Sequence, residues 1–281
     1  VTSSQSAPSA RIHADSAAPD IRLVAVDMDG TLLDEHGRVP DGLWPLLDRL
    51  RERGILFAPA SGRQYATLRR EFGAHGDDMV FIAENGTYVV RDDEEVSSDV
   101  LAPEVVAEVV GAARAMTHDV GVVLCGKRSA YIERTDAAFR AEADRYYARL
   151  EQVSDLDAVD DDIIKVAVFA FGDAETEVAP DLERFRSSLQ VVVSGEHWAD
   201  VMNRGVNKGR ALRSLQDALG VTAAQTVVFG DYLNDLEMMD AADHSYAMAN
   251  AHPDVAARAR HRAPSNREHG VVRVLEGLLA G

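Results

Sequence analysis

Two carboxylates two residues apart, Asp27 and Asp29, end an apolar run of Ile21, Leu23, Val24, Ala25 and Val26, and Gly30 and Thr31 follow at once. Such a run reads as a strand buried on both faces. In an open α/β sheet, ligands bind just beyond the carboxyl ends of the strands. Paired acids at that place suit a hard cation and nucleophilic attack. Taken alone, Asp-Gly is also a hairpin signal, so the rest of the chain has to decide. Three further polar clusters bear on the choice: Ser61-Gly62-Arg63, Lys208, and Asp231 with Asn234 and Asp235. Together they offer acids for a cation and donors for an anion, which is what phosphoryl transfer needs. No Gly-rich Walker loop occurs, so a nucleotide triphosphatase of that type is not indicated.

Each cluster must be carried by an element. Leu43, Leu46, Leu47 and Leu50 recur at helical spacing after Val39-Pro40-Asp41, and Gly54 ends that helix. Ile55–Ala60 reads as a strand running into Ser61, Tyr65–Phe72 as a helix, and Val80–Ala83 as a strand ending in Glu84-Asn85-Gly86. Strand, helix, strand, helix, strand implies parallel pairing with crossover helices. Between about Thr87 and Val193 the pattern changes to separated pieces, with helices expected at Pro103–Met116, Ala137–Leu150 and Pro180–Leu189 and a strand at Ile163–Phe171. These suggest an α+β unit inserted into an α/β core. The first pattern resumes with a helix opened by Lys208-Gly209, a buried strand Thr226–Phe229 running into Asp231, a strand Ser245–Met248, and a final helix Val271–Leu279. If the strands are parallel, all four clusters lie at one edge of one sheet. Ser61 could merely cap the helix after it, and Asn234 and Asp235 could be ordinary capping residues. Lys208 at a helix start opposes the dipole, which favours a functional role.

The chain has 281 residues, enough for one large or two modest domains. A net charge of -18 argues against general nucleic-acid binding and against docking to anionic lipid. An anionic substrate would need a locally positive site. One cysteine, Cys125, excludes an internal disulfide and fits a reducing compartment. No apolar run reaches the ~18–20 residues of a membrane span, so the cytoplasm is the expected location. Residues 1–20, rich in Ser, Ala and Pro, read as a disordered tail without the apolar centre of a signal peptide.

In this order the clusters resemble the haloacid dehalogenase superfamily of phosphohydrolases. Asp27-Met28-Asp29-Gly30-Thr31 matches its first motif, Ser61 its second, Lys208 its third and Gly230-Asp231-Tyr232-Leu233-Asn234-Asp235 its fourth. The insert is similar to the α+β, C2-type cap of the Cof-type subgroup. So are Ala83-Glu84-Asn85-Gly86, Ala247-Met248-Ala249-Asn250-Ala251, and Asn266 with Gly270-Val271. The resemblance implies a Rossmann-like parallel-sheet core over residues 21–86 and 195–281 with a cap over residues 87–194. It also implies a Mg²⁺-dependent phosphatase acting on a small phosphorylated metabolite, most readily a sugar phosphate, as a monomer or homodimer.

The roles implied by the resemblance agree with each residue's chemistry. Asp27 would attack phosphorus and carry an aspartyl-phosphate. Asp29 would protonate the leaving oxygen and then activate water. Mg²⁺ would be held by Asp27, the backbone carbonyl of Asp29, and Asp231. Asp235 would stand behind the ligands, orienting Lys208 or water, and Thr31 would hydrogen-bond locally. Ser61 and the Gly62 amide would hold phosphoryl oxygens, Lys208 would neutralise their charge, and Arg63 and Asn234 would contact the anion or the substrate. Two other readings share these residues: a phosphomutase of the phosphomannomutase type, and a non-hydrolytic phospho-acceptor or binding protein. Glu196, His197, Trp198 and Asp200 fall at the second crossing to the cap, where packing around Trp198 is favoured over substrate contact.

Overall fold

The computed structural model describes residues 19–280. Most of the tail expected over residues 1–20 lies outside the described residues. Its last residue, Asp20, accepts hydrogen bonds from Arg22 Nε and Gln225 Nε2, both at 2.8 Å.

Two sheets organise the described residues. The core sheet has eight strands in the order His261–Ala263, His244–Met248, Thr226–Gly230, Leu23–Asp27, Leu56–Ala60, Val80–Ala83, Tyr88–Arg91 and Glu94–Ser98. Its pairings are parallel from His261–Ala263 through Val80–Ala83, as the crossover grammar requires, and the last two strands are antiparallel. Both faces are covered. Helices Leu43–Glu52 and Gly270–Ala280 pack one face with Leu43, Leu46, Leu50, Val271 and Leu275. Helix Lys208–Leu219 packs the other with Ala211, Leu212 and Leu215, and stops at Gly220, whose φ of 65° suits a residue without a Cβ. Burial on two faces explains why the central strands read as unbroken apolar runs rather than alternating ones.

The second sheet has six strands in the order Leu189–Gly195, Trp198–Asn203, Ile163–Ala170, Val120–Gly126, Ala130–Ile132 and Leu150–Gln152. Helix Pro103–Arg114 covers one face and helix Ala137–Tyr146 the other. The expected boundaries between core and insert, at residues 86/87 and 194/195, do not follow the sheets. Tyr88–Ser98 extends the core sheet, and Trp198–Asn203 pairs with Ile163–Ala170 in the cap. Trp198–Asn203 is placed by pairing with a strand about thirty residues earlier, of which local pattern carries no trace, whereas Tyr88–Arg91 folds back on its neighbour Val80–Ala83 through the short turn at Glu84–Gly86. Two expected helices are also shorter. The one begun at Ala137 ends at Tyr146, freeing Leu150–Gln152 for a strand. The one expected over Pro180–Leu189 is broken into short turns from Ala174 to Phe185, with Pro180 in the first turn of one piece.

Among the contacts that dock the cap on the core in the described residues, two are made by buried side chains. Gln64 Nε2 donates to the carbonyl of Arg149 at 2.9 Å, and the Arg149 N–H donates back to Gln64 Oε1 at 3.0 Å. Thr67 Oγ1 donates to the Tyr146 carbonyl at 2.9 Å and accepts from the Ala148 N–H at 3.1 Å. The second contact is ionic. Lys165, on a cap strand, places Nζ 2.5 Å from Glu84 Oε2 of the core and 3.5 Å from Asp200 Oδ2 of the neighbouring cap strand, with all three side chains buried. Burial opposes the charge on Lys165, yet the two acids hold its ammonium above its ordinary range. Lys165→Met should therefore cost about 3–5 kcal/mol, the penalty for stranding buried acids without a counter-ion. Urea denaturation measures this, and an unchanged midpoint would contradict the ionic tether.

Candidate active site

Strand register brings the clusters together. Asp27 pairs with Ala60 and Val26 with Phe229 in parallel ladders, so Asp27, Ser61 and Asp231 leave the sheet at the same edge. The turn after Asp27 needs Gly30, which has a φ of 81° and lies so close to Asp231 that an added Cβ would stand 2.2 Å from its Oδ2.

Lys208, at the start of its helix, is 1% exposed. Its Nζ donates to Asp27 Oδ1 at 2.5 Å and to Asp235 Oδ1 at 2.8 Å. The helix start is capped by the neighbouring Asn207, whose Oδ1 accepts from the Arg210 N–H at 2.7 Å, so Lys208 is free to point into the site. Burial works against the ammonium, but Asp235 and Asp27 outweigh it and keep Lys208 protonated. Asp235 spends its other oxygen on the N–H groups of Asp231 and Tyr232, at 3.0 and 3.2 Å. Asp231 Oδ1 accepts from Thr31 Oγ1 at 3.1 Å. Thr31 thus bonds across the site rather than locally as expected.

Carboxylate oxygens of Asp27, Asp231 and Asp235 lie within 4.8 Å of one another. Burial raises the Asp27 carboxyl, and the charge of Asp235 adds to it. The same two causes push Asp231 up to about 6. A cluster of hard oxygen donors whose mutual repulsion has one ammonium to offset it fits a divalent cation. The carboxylate group contains Asp235 and not the side chain of Asp29, which was expected to contribute only its backbone carbonyl. Since both Asp235 oxygens are already engaged, Asp27 and Asp231 have the more available oxygens.

The Asp29 side chain, 63% exposed, turns to Arg63 instead. Nε and Nη2 of Arg63 reach Asp29 Oδ2 and Oδ1 at 3.0 and 2.6 Å, and Nη1 donates to Glu71. Arg63 was expected to contact an anion, and these two acids already engage it. Ser61 does not cap the helix Tyr65–Phe72, because its Oγ accepts from the Arg63 N–H at 3.2 Å, ahead of that helix. Gly62 stands under Asn85, whose Oδ1 accepts from Asn234 Nδ2 at 3.2 Å. Asn234 is thereby brought beside the second cluster. At the second crossing, His197 Nδ1 lies 2.7 Å from the Gly172 carbonyl and Trp198 packs on Phe169, Tyr146 and Tyr147, in keeping with the packing reading.

Four residues at the site had no role in the sequence reading. Asn250 Nδ2 donates to the Gly30 carbonyl at 2.8 Å and approaches Asp231 Oδ2 at 3.5 Å. Asn266 supports it, its N–H donating to Asn250 Oδ1 at 3.2 Å and its side chain to the Leu33 carbonyl at 2.9 Å. Asn85 holds a left-handed φ of 57°. Glu71 backs Arg63. The short matches around Asn85, Asn250 and Asn266 were the available signal for three of them; Glu71 had none.

Residues 24–275 match the family model described as haloacid dehalogenase-like hydrolase. The chain is similar to the 5-amino-6-(5-phospho-D-ribitylamino)uracil phosphatase YbjI of Escherichia coli (strain K12), with 35% identity over 263 residues, 92% of this chain and 96% of that protein. It is also similar to the HMP-PP phosphatase of Enterobacter sp. (strain 638), 30% identical over 249 residues, 85% of this chain and 88% of that one. Among solved structures, SMU.1108c from Streptococcus mutans UA159 matches with a TM-score of 0.81 at 28% identity, covering 93% of this chain and 100% of that one.

The raised Asp231 carboxyl sets a pH test. Its extra proton affinity stabilises the fold fully below the ordinary value of 3.8 and is lost as pH rises through about 6. In the presence of a chelator, stability should fall across that window, and Asp231→Asn should remove part of the slope. Denaturant titrations at several pH values check this, and identical slopes in the two proteins would contradict it.

Proposed function

We propose a function from one premise: this chain belongs to the haloacid dehalogenase-like hydrolases. It is a phosphatase, a phosphoric monoester hydrolase. The finer reading is a Mg²⁺-dependent enzyme for small phosphorylated metabolites that works through an aspartyl-phosphate. The observation that carries it is the Lys208 ammonium pinning Asp27 Oδ1 while Asp231 stands alongside at the same sheet edge.

With Oδ1 held by Lys208, the second oxygen of Asp27 is the one placed to attack phosphorus. The P–O bond to the leaving group breaks as the bond to Asp27 forms, and Asp29 gives its proton to the departing oxygen. Asp29 then takes a proton from water, whose oxygen attacks phosphorus and returns Asp27 with release of inorganic phosphate. The Ser61 hydroxyl and the Gly62 N–H hold the equatorial oxygens, and Lys208 neutralises their charge. Mg²⁺, which Asp27, Asp231 and the Asp29 carbonyl would hold, supplies charge neutralisation of the transferring group when bound.

For the substrate class we favour a phosphorylated sugar or sugar alcohol. The substrate for which YbjI is named carries a 5-phospho-D-ribityl group, and the local cations here suit an anion on a chain with a net charge of -18. The sheet division supports a cap domain between about Asp99 and Asn203 that closes over the site and selects the leaving group.

Two outcomes are expected. Purified protein releases phosphate from p-nitrophenyl phosphate and from hexose phosphates with Mg²⁺, and loses the activity in EDTA. Asp27→Asn lowers kcat by about 10³-fold or more, whereas full activity in that variant would remove Asp27 as nucleophile.

A further inference from the structure

We propose that Glu71 is a positioning residue for the acid–base group Asp29, acting through Arg63; this rests on the phosphatase reading above. The Arg63 guanidinium is the middle of a three-residue chain. In front, Nε and Nη2 fork onto the two oxygens of Asp29 at 3.0 and 2.6 Å. Behind, Nη1 donates to Glu71 Oε1, and the second Glu71 oxygen is buried without a hydrogen-bond partner among the described residues. Glu71 therefore has no competing donor, and its negative charge is committed to Arg63. Burial pushes its carboxyl upward, against the pull of Arg63.

Asp29 needs such support. It sits on the turn Met28–Leu32, where its own backbone is not helical, and its side chain is largely in solvent. Among the described residues, its side-chain hydrogen bonds all come from Arg63. A loose exposed carboxylate samples several rotamers, while a bidentate guanidinium selects one. The guanidinium must itself be held. The Arg63 main chain is fixed at both ends, its N–H donating to Ser61 Oγ at 3.2 Å and its carbonyl accepting from the Glu84 N–H at 3.1 Å. Glu71 then fixes the far end of the side chain. The result is a brace that runs from helix Tyr65–Phe72, through the loop carrying Ser61, to the Asp29 carboxyl.

The arrangement also separates two uses of a positive charge. Were Arg63 a free phosphate contact, its removal would weaken every phosphate ester alike. As a brace for Asp29, it matters in proportion to how much the leaving group needs a proton. A p-nitrophenolate departs without protonation, whereas the alkoxide of a sugar does not.

The test compares kcat/KM for p-nitrophenyl phosphate and for a hexose 6-phosphate, with Mg²⁺ and the full chain, in wild type, Glu71→Gln and Arg63→Lys. Glu71→Gln should lower the hexose phosphate value by about 10–100-fold and leave the p-nitrophenyl value within about threefold, so that their ratio shifts. Arg63→Lys, which keeps the charge and loses the fork, should shift the ratio in the same direction, and serves if Glu71→Gln fails to fold. An equal loss on both esters, or no loss on either, would overturn the assignment while leaving the phosphatase reading intact. A wild-type protein that released phosphate from neither ester would overturn both.

Discussion

One ammonium holds the centre of this molecule together. Lys208 is the cation that reaches both Asp27 and Asp235, and without it three carboxylates would crowd a buried point with little to offset their repulsion. Much of the surrounding structure serves to put that nitrogen there. Helix Lys208–Leu219 lies so close to its neighbour that a Cβ on Gly209 would meet the backbone of Glu237 at 2.2 Å. The strand ladders bring Asp27 and Asp231 to one level, and Gly30 leaves the space into which the Asp231 carboxylate fits. A positive charge at a helix start is unfavourable by itself; here the two acids supply what the dipole withholds.

The frame of the core was legible from the chain because its signals are local. Apolar runs that end in polar residues marked the central strands, and the 3.6-residue recurrence of Leu43, Leu46, Leu47 and Leu50 marked a helix that indeed buries all four. The convergence of Asp27, Lys208 and Asp231 could be argued in advance since parallel strands must share a carboxyl edge. What escaped was non-local. Whether Trp198–Asn203 joins the cap or the core depends on its pairing with Ile163–Ala170, about thirty residues earlier. Lys165, in the middle of the apolar run Ile163–Ala170, is the partner of two acids distant in sequence. Glu71 is one of the chain's many acids, and it sits on a helix whose periodicity says nothing about an arginine on the preceding loop.

Charge placement in the active site follows the same economy as the fold. The overall acidity is heavy, yet the basic groups near the strand ends are each shared between acids: Lys208 between Asp27 and Asp235, Arg63 between Asp29 and Glu71. Sharing restrains where each side chain points.

The docking of the cap by Gln64 and Thr67 has a different consequence. All four of those hydrogen bonds end on main-chain groups of Tyr146, Ala148 and Arg149. Every residue but proline supplies both peptide groups, so the side chains along that segment can otherwise change while these hydrogen bonds are kept. A lineage with this clasp can trial new surfaces above the phosphate without first rebuilding the joint, which is a physical route to the spread of substrates among relatives of one architecture.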